Sequence, residues 1–201
     1  PGHDGKLFVA AVAPLLLMGV VRAVRDRAVA GYGMMALAVG LALQGHPQAA
    51  LYMLIAGAVW GAFWVFGPGG PPGAVRFRVI AAAVGAVALG VGLYAVYALP
   101  MIDYVPFSPR GDGGYNTGWQ WATQFSLPPE ELLGVLLPRI DGGLYPEYFG
   151  RNGLKLHSEY LGPSVLALAG LGLAFGRTEH RRGRRALAAI AVLFLLVSLG
   201  G

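Results

Sequence analysis

The sequence contains a series of long apolar runs with almost no charge. The run "VIAAAVGAVALGVGLYAVYAL", residues 79–99, holds no charged residue at all. An apolar stretch of about 18 residues is typical of a helix that crosses a bilayer. Six candidate spans of this kind lie at about residues 5–21, 28–45, 49–66, 79–99, 158–175 and 186–199. The sequence therefore predicts an all-α fold, a polytopic transmembrane helix bundle of about six spans.

The composition supports this prediction. Charged residues make up 12% of the 201 residues and hydrophobic residues 56%, whereas a soluble domain carries about 25% charged residues. The absence of cysteine excludes disulfides and thiolate metal sites. Because the chain begins at Pro1 and stops at Gly201 within an apolar run, we expect residues 1–201 to be one transmembrane domain and a piece of a longer protein.

The basic residues predict which way the spans run. Ten arginines lie in alternate connections between the spans, together with two acidic residues, so these connections carry a net charge of +8. The other connections and the chain ends carry a net charge of −3. The arginines in question are Arg22, Arg25, Arg27, Arg76, Arg78, Arg177, Arg181, Arg182, Arg184 and Arg185. By the positive-inside rule these connections face the cytoplasm. Topology explains the arginines better than nucleic-acid binding does, so we expect no nucleic-acid partner.

A long outward connection, residues 100–157, is the most informative segment. Residues 99–160 contain ten of the 22 aromatic residues, Trp119 and Trp121 among them. Within this stretch, "SLPPEELLGVLLP" (126–138) predicts a short helix with prolines in its first turn, which would lie along the bilayer surface. The aromatic residues either form an interfacial belt or line a site, and Glu130 and Glu131 either cap the short helix or bind a ligand.

Polar residues also lie at the outward ends of the spans. They are His3, Asp4, Lys6, His46 and Gln48, with Glu159 entering a later span from the same side. One lysine and two histidines could bind a phosphate or pyrophosphate. Asp4 and Glu159 could hold a divalent cation or act as a general base. The alternative for "GHPQ" (45–48) is a plain turn, in which Gly45 ends one helix and Pro47 begins the next.

Several of these segments together resemble a known family. In chain order they are "GHDGKLFVAAVAPLLLMGVV", "LALQGHPQAALYMLI", "WATQFSLPPEELLGVLLPRIDGG", "YFG" and "SEYLGPSVLALAGLGLAF". This order is similar to that of the bacterial YfhO-type membrane proteins, which resemble the GT-C class of polytopic glycosyltransferases, and the resemblance covers essentially the whole chain. It implies a multi-span enzyme of the bacterial cytoplasmic (inner) membrane. Such an enzyme takes a sugar from a polyprenyl-phosphate carrier at the outer face and attaches it to a cell-envelope polymer, lipid or lipid-linked glycan.

The resemblance also implies a set of substrate-binding residues. The matching positions are His3, Lys6, His46, Gln48, Glu130, Glu131, Glu159 and Tyr160. Lys6 and the two histidines would face the donor phosphate, and Trp119, Trp121, Tyr148 and Phe149 would pack against sugar or prenyl chain. GT-C enzymes usually carry a key acid in the first large outer loop, upstream of this chain. The catalytic residue therefore stays unassigned, with Asp4 and Glu159 as candidates, and we expect this piece to be inactive alone.

The sequence is also compatible with two rival functions. A transporter or flippase of lipid-linked intermediates would place polar residues at mid-membrane, whereas the spans here are nearly free of charge internally. A non-catalytic membrane scaffold would use the loop aromatic residues as a partner surface. We favour the enzyme over both.

Overall fold

The computed structural model describes residues 4–108, 118–123, 126–143, 146–152 and 159–199. Within these ranges the regular structure is helical, and no β-strand occurs. The longer helices are α1 (Asp4–Val24), α2 (Val29–Gly45), α3 (Pro47–Phe66), α4 (Gly73–Tyr104), α6 (Pro163–Phe175) and α7 (Arg181–Ser198), and a short helix, α5, covers Gly118–Thr123. Three 3₁₀ helices cover Val105–Phe107, Pro129–Val135 and Thr178–His180. The all-α prediction is confirmed for this part of the chain.

In the part of the chain that the structure describes, three helical segments are long and apolar enough to cross a membrane: Asp4–Val24, Pro47–Phe66 and Gly73–Phe107. Val29–Gly45 and Pro163–Phe175 are apolar but shorter. The last helix, α7, begins with "RRGRR", so its apolar part is shorter than the helix. These helices indicate a membrane protein by their length and composition, and the count of six spans stays a prediction.

The chain divides into two compact units, Pro1–Phe107 and Ser108–Gly201. In the first unit, α1 packs along α2 with small residues at both ends of the contact. A Cβ atom built on Gly31 would lie 2.6 Å from the Gly19 carbonyl oxygen, and one built on Gly5 would overlap the Gly45 carbonyl. Such close backbone approach is typical of helix pairs in lipid, where small residues form the interface.

The other helices of the first unit pack around this pair. Gly57 of α3 lies against Leu16 of α1, and the Trp60 indole donates a hydrogen bond to the Leu17 carbonyl at 3.0 Å. On the other side, α4 approaches α2 where a Cβ atom on Gly90 would lie 2.6 Å from a carbonyl oxygen of α2. The core therefore runs along α2, whose Ala38, Val39 and Ala42 are completely buried.

The second unit places an irregular segment at one end of a helix pair. The backbone N–H of Leu127 donates to the Ser198 carbonyl at the end of α7, at 2.7 Å. The N–H groups of Leu161 and Gly162, just before α6, donate to the Val135 carbonyl at 3.1 and 3.2 Å. Residues 126–135 are thus tied to the start of α6 and to the end of α7.

The short helix predicted in residues 126–138 exists as the 3₁₀ helix Pro129–Val135. Pro128 is its N-cap residue and Pro129 its first helical residue, as the proline pattern predicts. The helix ends at Val135, with Leu136 as its C-cap residue, so it stops before Pro138. Whether it lies along a bilayer surface stays a prediction.

Candidate functional site

One group of predicted site residues lies at one end of the first unit. The contact between Gly5 and Gly45 brings the first turn of α1 to the junction of α2 and α3, and a Cβ atom on Gly5 would lie 3.5 Å from the Cβ of His46. Asp4 and Lys6 flank Gly5, and both are exposed. We call the end of the unit that carries Asp4, Lys6, His46 and Gln48 the histidine end. His3 lies outside the described residues.

The "GHPQ" segment is a tight helix-to-helix turn, as one of the two interpretations predicts. Gly45 ends α2, Pro47 begins α3, and His46 between them has extended backbone angles. The Nδ1 atom of His46 accepts a hydrogen bond from the Ala49 backbone N–H at 3.3 Å. His46 is therefore the N-cap of α3, a position that needs a side-chain acceptor for an unpaired first-turn N–H group.

This capping contact holds the His46 ring in one orientation. In a neutral imidazole one nitrogen accepts and the other carries the proton. A neutral ring that accepts from Ala49 through Nδ1 carries its proton on Nε2, where it is a hydrogen-bond donor. The half-buried side chain can thus cap a helix and donate to a ligand at the same time. Gln48 lies beside it on the first turn of α3, where its Nε2 donates to the Tyr52 hydroxyl at 3.1 Å.

A second group of predicted site residues meets in the second unit. Glu131 is only 4% exposed, and its Oε1 accepts a hydrogen bond from the Tyr148 hydroxyl at 2.5 Å. The same hydroxyl oxygen accepts from the Asn152 backbone N–H at 3.0 Å, and the Asn152 amide donates to the Ser126 carbonyl at 3.3 Å. These contacts join the 3₁₀ helix to residues 148–152.

The neighbouring Glu130 points to the surface and forms an ion pair with Arg151. The Arg151 Nε lies 2.6 Å from Glu130 Oε1, and its Nη2 donates to Oε2 at 3.0 Å. The pair is bidentate, and its two side chains are 66% (Arg151) and 57% (Glu130) exposed. A ligand at this surface would meet a carboxylate and a guanidinium held in a fixed relative orientation.

The chain between these residues reverses through a strained turn. Arg139, Gly142 and Gly143 all have positive φ angles, of 60°, 98° and 112°. A Cβ atom on Gly142 would lie 2.6 Å from the Phe149 ring, and the Phe149 N–H donates to the carbonyl of Asp141 at 3.1 Å. This turn, which needs glycine, brings Tyr148 back to Glu131.

Gly150 is required for the same contact. A Cβ atom on Gly150 would overlap the Tyr148 hydroxyl and the carboxylate of Glu131. Together with Arg151, Asn152 and Asp141, which is 8% exposed, it belongs to a set that sequence reasoning missed. The signal present in the sequence was the short "YFG" segment (148–150), which lies directly before the arginine.

The other predicted residues are more dispersed. Trp119 lies on α5 and is 71% exposed, while the side chain of Trp121 is outside the part of the chain that the structure describes. Phe149 is 75% exposed. Glu159 and Tyr160 directly precede the N–H groups that bind the Val135 carbonyl, so they lie next to the end of the 3₁₀ helix. Within the described ranges, no three His, Asp or Glu side chains come together in a way that could hold a metal.

Comparison of the chain with protein-family models, with curated proteins and with solved structures found no match. The resemblance to YfhO-type proteins therefore stays a prediction that depends on the quoted segments.

Proposed function

We propose that this protein is a multi-span membrane glycosyltransferase of the YfhO type. It takes a sugar from a polyprenyl-phosphate carrier and attaches it to a cell-envelope glycan, polymer or lipid at the outer face of the bacterial inner membrane. The observation that carries the proposal is the separation of charge along the helices of each unit. Mixed polar and acidic groups gather at one end, with Arg139 and Arg151 among them in the second unit, and most of the arginines lie at the other end.

In the first unit, the histidine end is opposite the turns that join α1 to α2 and α3 to α4. Arg25 and Arg27 lie in the first of these turns, Arg22 lies in the last turn of α1, and Arg76 and Arg78 lie near the start of α4. We call this end of the unit the arginine end. The second unit has the same polarity. Residues 126–135, with Glu130 and Glu131, are bound to the start of α6 and the end of α7, while the arginine-rich connection joins the opposite ends of these helices.

This polarity supports six spans with the arginines on the cytoplasmic side. In this orientation the histidine end of the first unit and the segment containing Glu130 of the second unit are two separate candidate contacts for a carrier-linked sugar on the outer side. A transporter would need polar groups deep within the spans. Among the described residues, the two charged side chains that are buried, Glu131 and Asp141, both lie in the irregular segment instead.

The histidine end suits the phosphate of the donor. Lys6 supplies a positive charge, and the Nε2 proton of His46 supplies a directed hydrogen bond from a ring that the helix cap holds in place. Negative charge grows on the phosphate as the sugar leaves, and fixed donors lower the energy of that transition state more than they lower the energy of the ground state. Asp4 lies on the same turn as Lys6 and is the candidate general base at this end.

The segment that contains Glu130 suits a sugar. The exposed pair of Glu130 and Arg151 offers both acceptors and donors for hydroxyl groups, and the exposed ring of Phe149 offers an apolar face. Glu131 and Tyr148 are half-buried or buried, so we assign them the role of holding this surface in shape. Trp119 and Tyr160, both exposed, offer further aromatic faces, and a role for Trp121 stays a prediction from the sequence.

Sugar transfer by membranes that contain the full-length protein, supplied with labelled polyprenyl-phosphate sugars, tests the proposal. Glu130→Gln should lower kcat/KM about tenfold, the effect of losing a hydrogen bond to a charged group. Glu147→Gln is the matched control, because Glu147 is an exposed acid in the same segment, and it should leave kcat/KM unchanged. Absence of transfer from every donor tested would refute the enzyme and favour a flippase. Transfer that is indifferent to Glu130 would remove this surface from the site.

A further inference from the structure

An apolar cleft opens between α3 and α4 in the first unit. Its volume is 420 Å³, and every residue that lines it is apolar. Buried residues of α1, from Leu16 to Val24, form its floor. Small residues of α3, among them Gly61 and Ala62, and Val79 to Val87 of α4 form its walls. Because Phe66 and Val84 are each 63% exposed, the cleft is open on the side away from α1.

The depth of the cleft matches one leaflet of a bilayer. Its lining runs over nine residues of α1, nine of α4 and thirteen of α3, from Leu54 to Phe66, which corresponds to about 12 to 18 Å of helix. Half of the hydrocarbon core of a bilayer is about 15 Å thick. A cleft of this depth whose mouth lies at a membrane surface would reach to about the middle of the bilayer.

The volume of the cleft is that of a ligand-sized site. Ligand pockets in proteins range from about 300 to 1,000 Å³, and this one lies at the lower end of that range.

The mouth of the cleft lies at the arginine end. The Arg76 guanidinium lies 5.4 Å from the centre of the Phe66 ring, and Phe66 lines the cleft. The Arg76 Nε donates to the Pro71 carbonyl at 3.2 Å, which holds the side chain in this position, and its Nη groups carry four further N–H donors. With the other arginines of this end and one acid, Asp26, the net charge is +4.

We propose that this cleft binds one acyl chain of an anionic phospholipid, whose headgroup phosphate binds Arg76 at the arginine end. A neutral lipid would fill the apolar part without using the charge, whereas an anionic headgroup is attracted by about 1 kcal/mol per arginine near the surface. The site is distinct from the histidine end, and the inference does not depend on the glycosyltransferase proposal.

Native mass spectrometry of the full-length protein tests the proposal. The purified protein is mixed with equal amounts of phosphatidylglycerol and phosphatidylcholine of the same acyl chains. We expect one retained lipid per protein, with phosphatidylglycerol preferred. Arg76→Gln should lower this preference about fivefold, whereas Arg181→Gln, which removes an exposed arginine of the second unit, should leave it unchanged.

A second pair of variants tests the cleft itself. A Cβ atom on Gly61 would make only an ordinary contact, at 3.7 Å from Val20, so Gly61→Leu should fill the cleft and abolish the retained phosphatidylglycerol. Gly85→Leu is the matched control, because a Cβ atom there meets nothing within 4 Å and Gly85 does not line the cleft. If Gly61→Leu does not fold, Ala62→Leu fills the same cleft from an exposed position.

Two results would overturn the proposal. Equal retention of the two lipids by the unmodified protein would show that the headgroup does not bind arginine. Undiminished retention of phosphatidylglycerol by the folded cleft-filling variant would show that the acyl chain lies elsewhere.

Discussion

His46 combines a helix cap with a proposed ligand contact, and two substitutions separate these roles. His46→Ala removes the acceptor for the Ala49 N–H and also the ring. His46→Asn removes the ring but keeps a side-chain oxygen at a position where asparagine is among the best N-cap residues. Any effect shared by both variants therefore comes from the ring, and any effect of His46→Ala alone comes from the cap.

The expected loss of stability can be worked out from the contact. Replacing an N-cap acceptor by alanine costs about 0.5–2 kcal/mol. The hydrogen bond from Ala49 is 3.3 Å long, longer than the usual 2.9–3.0 Å, and the side chain of His46 is only half-buried. The cost should therefore lie near about 0.5–1 kcal/mol. Hydrogen exchange of a peptide at the start of α3 should speed up about two- to fivefold in His46→Ala and stay near the unmodified rate in His46→Asn.

The sugar-transfer activities of the two variants should not follow their stabilities. If the Nε2 proton binds the donor phosphate, sugar transfer falls in both variants to a similar extent, although only one of them loosens the helix. Activity that is retained in His46→Asn would refute the ligand role and leave His46 as a cap. Equal exchange rates in all three proteins would refute the capping energy.

Two further substitutions, one in each unit, test the packing within that unit. Tyr148→Phe removes the hydroxyl that donates to the buried carboxylate of Glu131. This loss should lower the free energy of unfolding by about 1–3 kcal/mol. An unchanged thermal unfolding midpoint in detergent would contradict this. Gly31→Ala places a methyl group 2.5 Å from the backbone nitrogen of Ala23 and should cost about 1–3 kcal/mol by overpacking. Gly33→Ala meets nothing within 4 Å and should not destabilise the protein, so equal losses at the two positions would refute the close α1–α2 contact.

The helices were predictable because the apolar runs end at strong local signals. The run predicted at 28–45 forms Val29–Gly45, and the next begins at Pro47 rather than at 49 because proline is favoured at the first position of a helix. The run predicted at 158–175 is helical only from Pro163, since Gly162, with a φ of 89°, cannot be part of the helix. Helix lengths of 13 and 17 residues leave the number of spans undecided by length alone.

The candidate site was predictable only where it depends on neighbours in the sequence. Glu130, Glu131 and Tyr148 were singled out by residue type, and the second unit brings them together. Arg151 was not, because its partner lies 21 residues earlier and no periodic pattern links the two. The contact between the 3₁₀ helix and residues 148–152 depends on backbone turns at glycines. The sequence alone does not indicate which of its 32 glycines makes such a turn.

Glu130 and Glu131 are adjacent in the sequence but make different contacts. In a 3₁₀ helix there are three residues per turn, so neighbouring side chains point about 120° apart. Glu131 therefore points inward to Tyr148, while Glu130 points outward to Arg151. A buried carboxylate of 4% exposure cannot touch a sugar without opening the segment, whereas Glu130 can do so as it stands. From these contacts we expect Glu131→Gln to lower stability, and under the proposed function we expect Glu130→Gln to weaken substrate binding. A change of KM with intact stability in Glu131→Gln would contradict this assignment.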